Sequence, residues 1–99
     1  MDMDSKEISS KWVTDSEILT KTAADLLQVL GTATTTEIEY KVYDGENNLG
    51  ELKLDIKNEF SKSFEFPGGM YMRRGIYILA DTHFQGCLVR WRNRPSKEG

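Results

Sequence analysis

Apolar and polar residues alternate in two segments near the middle of the chain, at positions 38–42 and 52–56. A period of two is typical of a β-strand that buries one face and exposes the other. The intervening residues 44–50 are rich in Gly, Asn and Asp, which favour turns. The pattern therefore predicts an antiparallel hairpin whose buried side chains come from both strands: Ile38, Tyr40, Val42, Leu52, Leu54 and Ile56.

Three more strand patterns follow toward the C-terminus. Residues 60–66 form the first, which should stop at 67–69 because proline cannot donate to a β-ladder and glycines favour unusual dihedral angles. The second covers 70–81, where apolar residues in both phases indicate burial on both sides. Gly75 within it indicates a bulge or a close backbone approach. The last, at 87–92, alternates again and follows a turn.

Residues 15–31 fit two structures. The apolar spacing from Ile18 to Leu30 roughly follows a helical face, but 26–30 is also an apolar run of strand length. Because the patterns on the C-terminal side are strands, we favour a strand over residues 25–31.

The two ends of the chain are polar. We expect residues 1–14 to form an arm that is disordered on its own, with Trp12 available as an anchor on a neighbouring molecule. We expect residues 93–99 to form a flexible tail. The domain between them, 15–92, carries six to seven short strands at a spacing of about ten residues. This predicts an all-β fold, a small antiparallel β-sandwich or barrel that is jelly-roll-like.

The residue counts argue against an enzyme. The 99 residues include one cysteine, Cys87, and one histidine, His83, which exclude an internal disulfide and a cysteine-based zinc site. Asp81 lies close to the histidine, but no Gly-x-Ser-x-Gly turn supplies a nucleophile, so a polar turn explains both. We expect no catalytic residue, no metal and no cofactor, and we expect Cys87 to be a small buried apolar residue.

The acidic side chains of the predicted hairpin do not require a catalytic explanation. They share the phase opposite the apolar set, so a solvated sheet face explains them better than a carboxylate pair does: Glu37, Glu39, Glu51 and Asp55. Asp44 begins a turn that lacks the spacing of an EF-hand calcium loop. No apolar run approaches the roughly 18 residues of a membrane span, and we expect no signal peptide after the acidic start.

Charge is divided unevenly along the chain, although the net charge is only −3. Residues 1–60 hold thirteen acids and six lysines, whereas residues 61–99 hold three acids, two lysines and all five arginines. Such asymmetry indicates a surface for an anionic partner, or a head-to-tail contact between copies. The acidic first half argues against a general nucleic-acid coat.

The arginines lie close to aromatic residues and supply the candidate interface. If the last two strands pair through the turn at 82–86, the side chains of Arg90 and Arg92 share one face and Arg73 and Arg74 lie toward the same end. The candidate residues are Trp12, Met70, Tyr71, Arg73, Arg74, Arg90, Trp91 and Arg92. They are typical of a protein interface or of a surface that stacks single-stranded bases. They also fit a solvent-exposed sheet face whose arginines pair with acidic side chains from the first half of the chain.

Several short motifs, in order, resemble a known family. An apolar strand at 26–31 precedes a Thr-rich stretch, and the next strand closes in the sequence Tyr-Asp-Gly at 43–45. A later strand reads Gly-Ile-Tyr-Ile at 75–78, and the last strand ends in an aromatic residue, Trp91. Over residues 25–92 the chain is similar to small all-β virion structural proteins of tailed bacteriophages, of the capsid decoration or cement type.

The resemblance implies a non-enzymatic virion protein that is assembled in the host cytoplasm. Its expected partner is the major capsid protein or another virion protein, and its expected assembly is a homo-oligomer, often a trimer. The basic flanks of Trp91 and the tail at 93–99 depart from the family pattern and leave the position within the virion open. A neck, tail or head-fibre protein, a small OB-like nucleic-acid-binding barrel and an accessory or inhibitor module of an enzyme are the alternatives.

Overall fold

The computed structural model describes residues 7–33 and 35–94, which form eight β-strands. The strands are β1 (Ser9–Val13), β2 (Glu17–Thr20), β3 (Ala24–Gly31), β4 (Ile38–Asp44), β5 (Glu51–Glu59), β6 (Lys62–Met72), β7 (Ile76–Ala80) and β8 (Cys87–Asn93). The strand favoured over residues 25–31 is therefore confirmed. Within the described ranges, no helix is long and apolar enough to cross a membrane.

The strands build two antiparallel sheets of four. The first sheet has the order β1-β8-β3-β6 and the second has the order β2-β7-β4-β5. Apart from the β4–β5 hairpin, each step along the chain crosses from one sheet to the other, and this order is that of a jelly roll. The predicted all-β sandwich is confirmed, with eight strands in place of six to seven.

The two additional strands come from the N-terminal part of the chain. Residues 9–13, which we expected in a disordered arm, form the edge strand β1, with Val13 opposite Cys87 and fully buried. Lys11 of β1 and Glu17 of β2 form an ion pair at 2.6 Å that joins the two sheets at this edge. The remainder of the predicted arm, residues 1–6, lies outside the described residues, as do residues 95–99 of the predicted tail.

The core lies between the sheets and is supplied by alternate residues. In β4 every second side chain is buried, as the sequence predicts for Ile38, Tyr40 and Val42. Cys87, Val89 and Trp91 of β8 face the same core from the first sheet, and Cys87 is a buried free thiol as expected. Burial on both sides, expected for residues 76–79, does not occur, because a two-layer sandwich covers only one face of each strand.

The strand predicted over residues 60–66 departs from the expected pattern at a bulge. β6 does not stop at residues 67–69; Gly68 and Gly69 adopt φ values of 83° and 91°, and the strand continues to Met72. Residues 66–69 lie opposite the single residue Leu27 of β3, so they form a bulge of four residues in an edge strand. Proline is tolerated there because its ring need not donate to a neighbour.

The strand predicted over residues 70–81 is divided by a turn. Residues 70–72 belong to β6, and residues 73–75 lead into β7. Gly75 has a φ of 138°, and a β-carbon at this position would collide with the carbonyl oxygen of Thr20. The close backbone approach predicted at this glycine is confirmed.

Two groups with raised pKa values, Tyr40 and Cys87, are buried in the core. Tyr40 is 1% exposed, and its hydroxyl has no hydrogen-bond partner among the described residues. Burial raises the pKa of Tyr40 above its ordinary range, and burial likewise raises the pKa of Cys87 to about 12. Both groups are therefore neutral in the folded chain at ordinary pH.

Replacing Tyr40 with phenylalanine should leave the free energy of unfolding unchanged or raise it, because it removes a buried hydroxyl that has no partner among the described residues. Tyr40→Ala, which empties the same site, should lower the free energy by about 3–5 kcal/mol. Urea titration of both variants measures this. A loss of about 1 kcal/mol or more in Tyr40→Phe would reveal a hydrogen bond to the hydroxyl.

Alkaline pH should unfold the protein through the same two groups. Since their folded pKa values are raised, they ionise more readily in the unfolded chain. The stability they contribute is fully present below pH of about 9. It is lost above that, at up to about 1.4 kcal/mol per pH unit for each group. Thermal melting from pH 7 upward checks this, and Tyr40→Phe should show a shallower decline above the ordinary pKa of tyrosine.

Candidate functional site

The structure distributes the eight candidate interface residues over three places. Four of them lie on the outer surface of the first sheet: Trp12, Tyr71, Arg90 and Arg92. Arg73 and Arg74 occupy the turn between β6 and β7. Trp91 is only 7% exposed and faces the core, and Met70 packs against the core as well.

The predicted pairing of the last two strands is wrong. β8 pairs with β1 and β3, whereas β7 pairs with β2 and β4 in the other sheet. The turn at 82–86 crosses between the sheets, so β7 and β8 do not form a hairpin. Arg73 directly follows Met72, and Met72 and Asn93 both lie opposite Ala24, so Arg73 and Arg74 lie toward the Arg92 end of β8, but in the turn. The spacing of residues along the sequence carries no information about which sheet each strand joins.

The register of the first sheet aligns the four outward residues in rows across the strands. Trp12 lies opposite Leu88, which lies opposite Leu30. In the next row Arg90 lies opposite Gln28, and in the third Arg92 lies opposite Asp25, which lies opposite Tyr71. We call the outer surface formed by Trp12, Gln28, Arg90, Arg92 and Tyr71 the arginine face.

The arginine face combines exposed aromatic rings with cations that have no anionic partner in the described part of the chain. Trp12 is 49% and Tyr71 46% exposed. The guanidinium of Arg90 lies 3.4 Å from the Gln28 side-chain oxygen, and within residues 7–33 and 35–94 no carboxylate forms an ion pair with Arg90 or Arg92. Such a combination is typical of the residues that anchor protein interfaces.

A shallow groove of about 470 Å³ crosses this face beside the bulge in β6. Its walls are apolar at Ile8, Leu27 and Phe66, and polar at Arg90 and Glu65. Residues 66–68 of the bulge line it together with Leu27, which lies opposite the bulge in β3. Ile8, at its rim, is 50% exposed.

Sequence reasoning missed an arginine that orders one corner of the face. Arg94 binds both carboxylate oxygens of the buried Asp25, at 2.8 and 3.2 Å, and its guanidinium lies 4.3 Å from the centre of the Tyr71 ring. Its backbone also donates to Ala23. Arg94 was expected in the flexible tail, but these contacts bind it to the sheet. No local signal marks the pair, because 69 positions separate Arg94 from Asp25.

The turn that carries Arg73 and Arg74 is held by a buried carboxylate. Asp44 is 6% exposed and accepts hydrogen bonds from the backbone N–H groups of Arg73, at 2.9 Å, and Arg74, at 2.6 Å. Both side chains remain exposed. Asp44 thus fixes the end of the β4–β5 hairpin to the β6–β7 turn and places two cations at one end of the sandwich.

The groups considered for catalysis are engaged elsewhere. Asp81 accepts a hydrogen bond from the ammonium of Lys41 at 3.3 Å, and this bond holds the pKa of Asp81 below its usual range. His83 sits in an exposed turn at a φ of 57°. Among the described residues, no three His, Cys, Asp or Glu side chains lie close enough to hold a metal ion.

No protein-family model, no curated protein and no solved structure matches this chain. The functional assignment therefore rests on the fold and on the chemistry of the surfaces described above.

Removing the Asp44 carboxylate should loosen the turn that presents Arg73 and Arg74. We expect Asp44→Ala to lower the free energy of unfolding by about 2 kcal/mol, because two backbone donors lose a charged acceptor. The matched control is Asp55→Ala, which breaks only exposed ion pairs with Lys41 and Lys57 and should cost less than about 1 kcal/mol. Equal losses in the two variants, measured by urea titration, would contradict this role of Asp44.

Proposed function

We propose that this chain is a non-enzymatic virion structural protein of a tailed bacteriophage, a decoration or cement protein that binds the outer surface of the capsid and stabilises it. The observation that carries the proposal is the arginine face, where exposed aromatic rings share one side of a sheet with two guanidinium groups that form no ion pair with any carboxylate of residues 7–33 and 35–94. The sequence resemblance to phage virion proteins supplies the biological setting.

A folded sheet suits a cement protein better than a mobile loop would. Each outward side chain of β8 is held between two neighbouring strands, so little conformational entropy is lost when it binds. Trp12 and Tyr71 offer large apolar area, and Arg90 and Arg92 offer charges that select an acidic patch on the partner. The expected partner is the major capsid protein, at a site rich in carboxylates.

The nucleic-acid alternative loses part of its support. It requires aromatic rings that stack bases, and Trp91, which was to be one of them, faces the core. An OB barrel has five strands in one partly closed sheet, whereas these eight strands form two sheets. A neck, tail or head-fibre position would use the same arginine face on a different virion protein.

Cryo-electron microscopy of the purified parent virion tests the proposal. We expect density for an eight-stranded sandwich on the outer capsid, with the arginine face toward the capsid protein. Density at the neck or tail instead would mean that the arginine face binds a virion protein other than the capsid protein. Absence of the chain from purified particles would refute the proposal.

Variants of the arginine face test the contact itself. Recombinant chain is added to particles that lack it, and the bound fraction is measured by sedimentation. Arg90→Glu with Arg92→Glu should weaken binding by at least about tenfold, because both charges would face a carboxylate-rich site. The single variant Arg90→Glu is compared with the control Lys62→Glu, which makes the same charge change at an exposed residue of β6 off this face and should bind as the unmodified chain does. Equal binding of all forms would exclude the arginine face.

A further inference from the structure

The outer surface of the second sheet carries an apolar row that the functional assignment does not use. Ile18 lies opposite Tyr77, Tyr77 lies opposite Tyr43, and Tyr43 lies opposite Leu52. We call these four residues the apolar stripe. It crosses all four strands of the sheet from one edge to the other, about 14 Å at the usual spacing of strands.

The two end residues of the stripe are exposed, and its two central tyrosine rings pack against each other. Ile18 is 37% and Leu52 44% exposed, although both are large apolar residues. The rings of Tyr43 and Tyr77 pack against each other with their centres 6.3 Å apart. An apolar row of this kind on an outer sheet surface is typical of an interface between proteins.

A bulge creates one end of the stripe. Leu52 has the same phase as Leu54 and Ile56, which face the core. However, the register between β4 and β5 shifts between Val42 and Tyr43 and places Leu52 opposite the outward Tyr43. The shift moves a core-type side chain to the outside. Without it, the stripe would end at Tyr43.

The charges on either side of the stripe have opposite signs. Toward the β7–β8 end the same surface holds more carboxylates than ammonium groups: Glu39, Asp55 and Asp81 against Lys41 and Lys57. Toward the other end exposed cations still exceed exposed carboxylates: Lys21, Arg73 and Arg74 against Glu46 and Glu51. The stripe therefore separates an acidic region from a basic one.

We propose that the apolar stripe binds the stripe of a second copy of this chain, about a two-fold axis that runs along the row. This axis stacks each stripe residue on its own counterpart and points the two basic ends in opposite directions. The basic turn of each copy then lies over the acidic region of the other. Such a self-complementary contact closes as a pair, whereas the phage resemblance implies trimers.

The proposal concerns a different surface from the arginine face and does not depend on the capsid partner. Pairing through the second sheet leaves the arginine face of each copy on the outside of the pair, because the two faces belong to opposite sheets. One pair would thus present two arginine faces.

Sedimentation equilibrium of the full chain tests the pairing. We expect the mass of two chains of 11.3 kDa at high protein concentration and dissociation on dilution. Leu52→Lys and Leu52→Glu should each weaken the association by at least about tenfold, because like charges would then face each other across the axis. An equimolar mixture of the two variants should restore the two-chain species.

The control is an identical substitution on the opposite sheet. Ile18→Lys alters the stripe and should weaken the pair, whereas Ile8→Lys alters an equally apolar, 50% exposed residue beside the arginine face and should not. Far-UV circular dichroism establishes that each variant is folded. Should Leu52→Lys fail to fold, the Ile18→Lys and Ile18→Glu pair repeats the mixing experiment.

Several outcomes would overturn the proposal. They are a single-chain mass even at millimolar concentration, a three-chain mass, failure of the mixture to recover, and equal loss in Ile8→Lys. A single-chain protein whose binding to virions is lost in Leu52→Lys would also overturn it and would assign the stripe to the virion partner.

Discussion

The two-layer sandwich imposes one constraint on every strand: only one of its two faces can be buried. Eight short strands supply their inward side chains to a single layer of core, and all other side chains meet solvent or a partner. The chain has more large apolar residues than this layer accepts. Trp12, Ile18 and Leu52 belong to the surplus, and they lie on the two outer surfaces. The same constraint therefore defines the core and both candidate contact surfaces.

Bulges decide how the surplus is distributed. The register shift in β5 moves Leu52 outward and completes the apolar stripe. The four-residue bulge at residues 66–69 of β6 lies along the groove beside Arg90. Buried carboxylates then hold the end of the sandwich at which β6 finishes. Asp44 binds the β6–β7 turn, and Asp25 binds Arg94 after the last strand. The two outer surfaces thus differ in character: one presents Arg90 and Arg92 beside exposed aromatic rings, and the other presents an apolar row between opposite charges.

Much of the fold could be predicted because strict alternation of apolar and polar residues follows from the local backbone geometry of a β-strand. The period of two places Tyr40 and Val42 in the core, and the Gly and Asn residues between the strands place the β4–β5 turn. Alternation fails where a strand bulges, as at Leu52. It also fails where an edge strand is too short to show a period, as in β1 and β2. Trp91 was predicted to be an interface residue because an aromatic side chain between two arginines can face either the core or the outer surface of a sheet.

The sequence by itself determined the class of fold, the positions of most strands and the inward phase of β4, since each depends on neighbours within a few residues. Only the tertiary structure decided which sheet each strand joins. Strand order is set by burial of whole faces between distant segments, and no short window of residues contains that information. For this reason the arginines that form one cluster in the sequence divide between the end of the sandwich and the outer face of one sheet. For the same reason, Ile18, Tyr43, Leu52 and Tyr77 come together only in the folded chain.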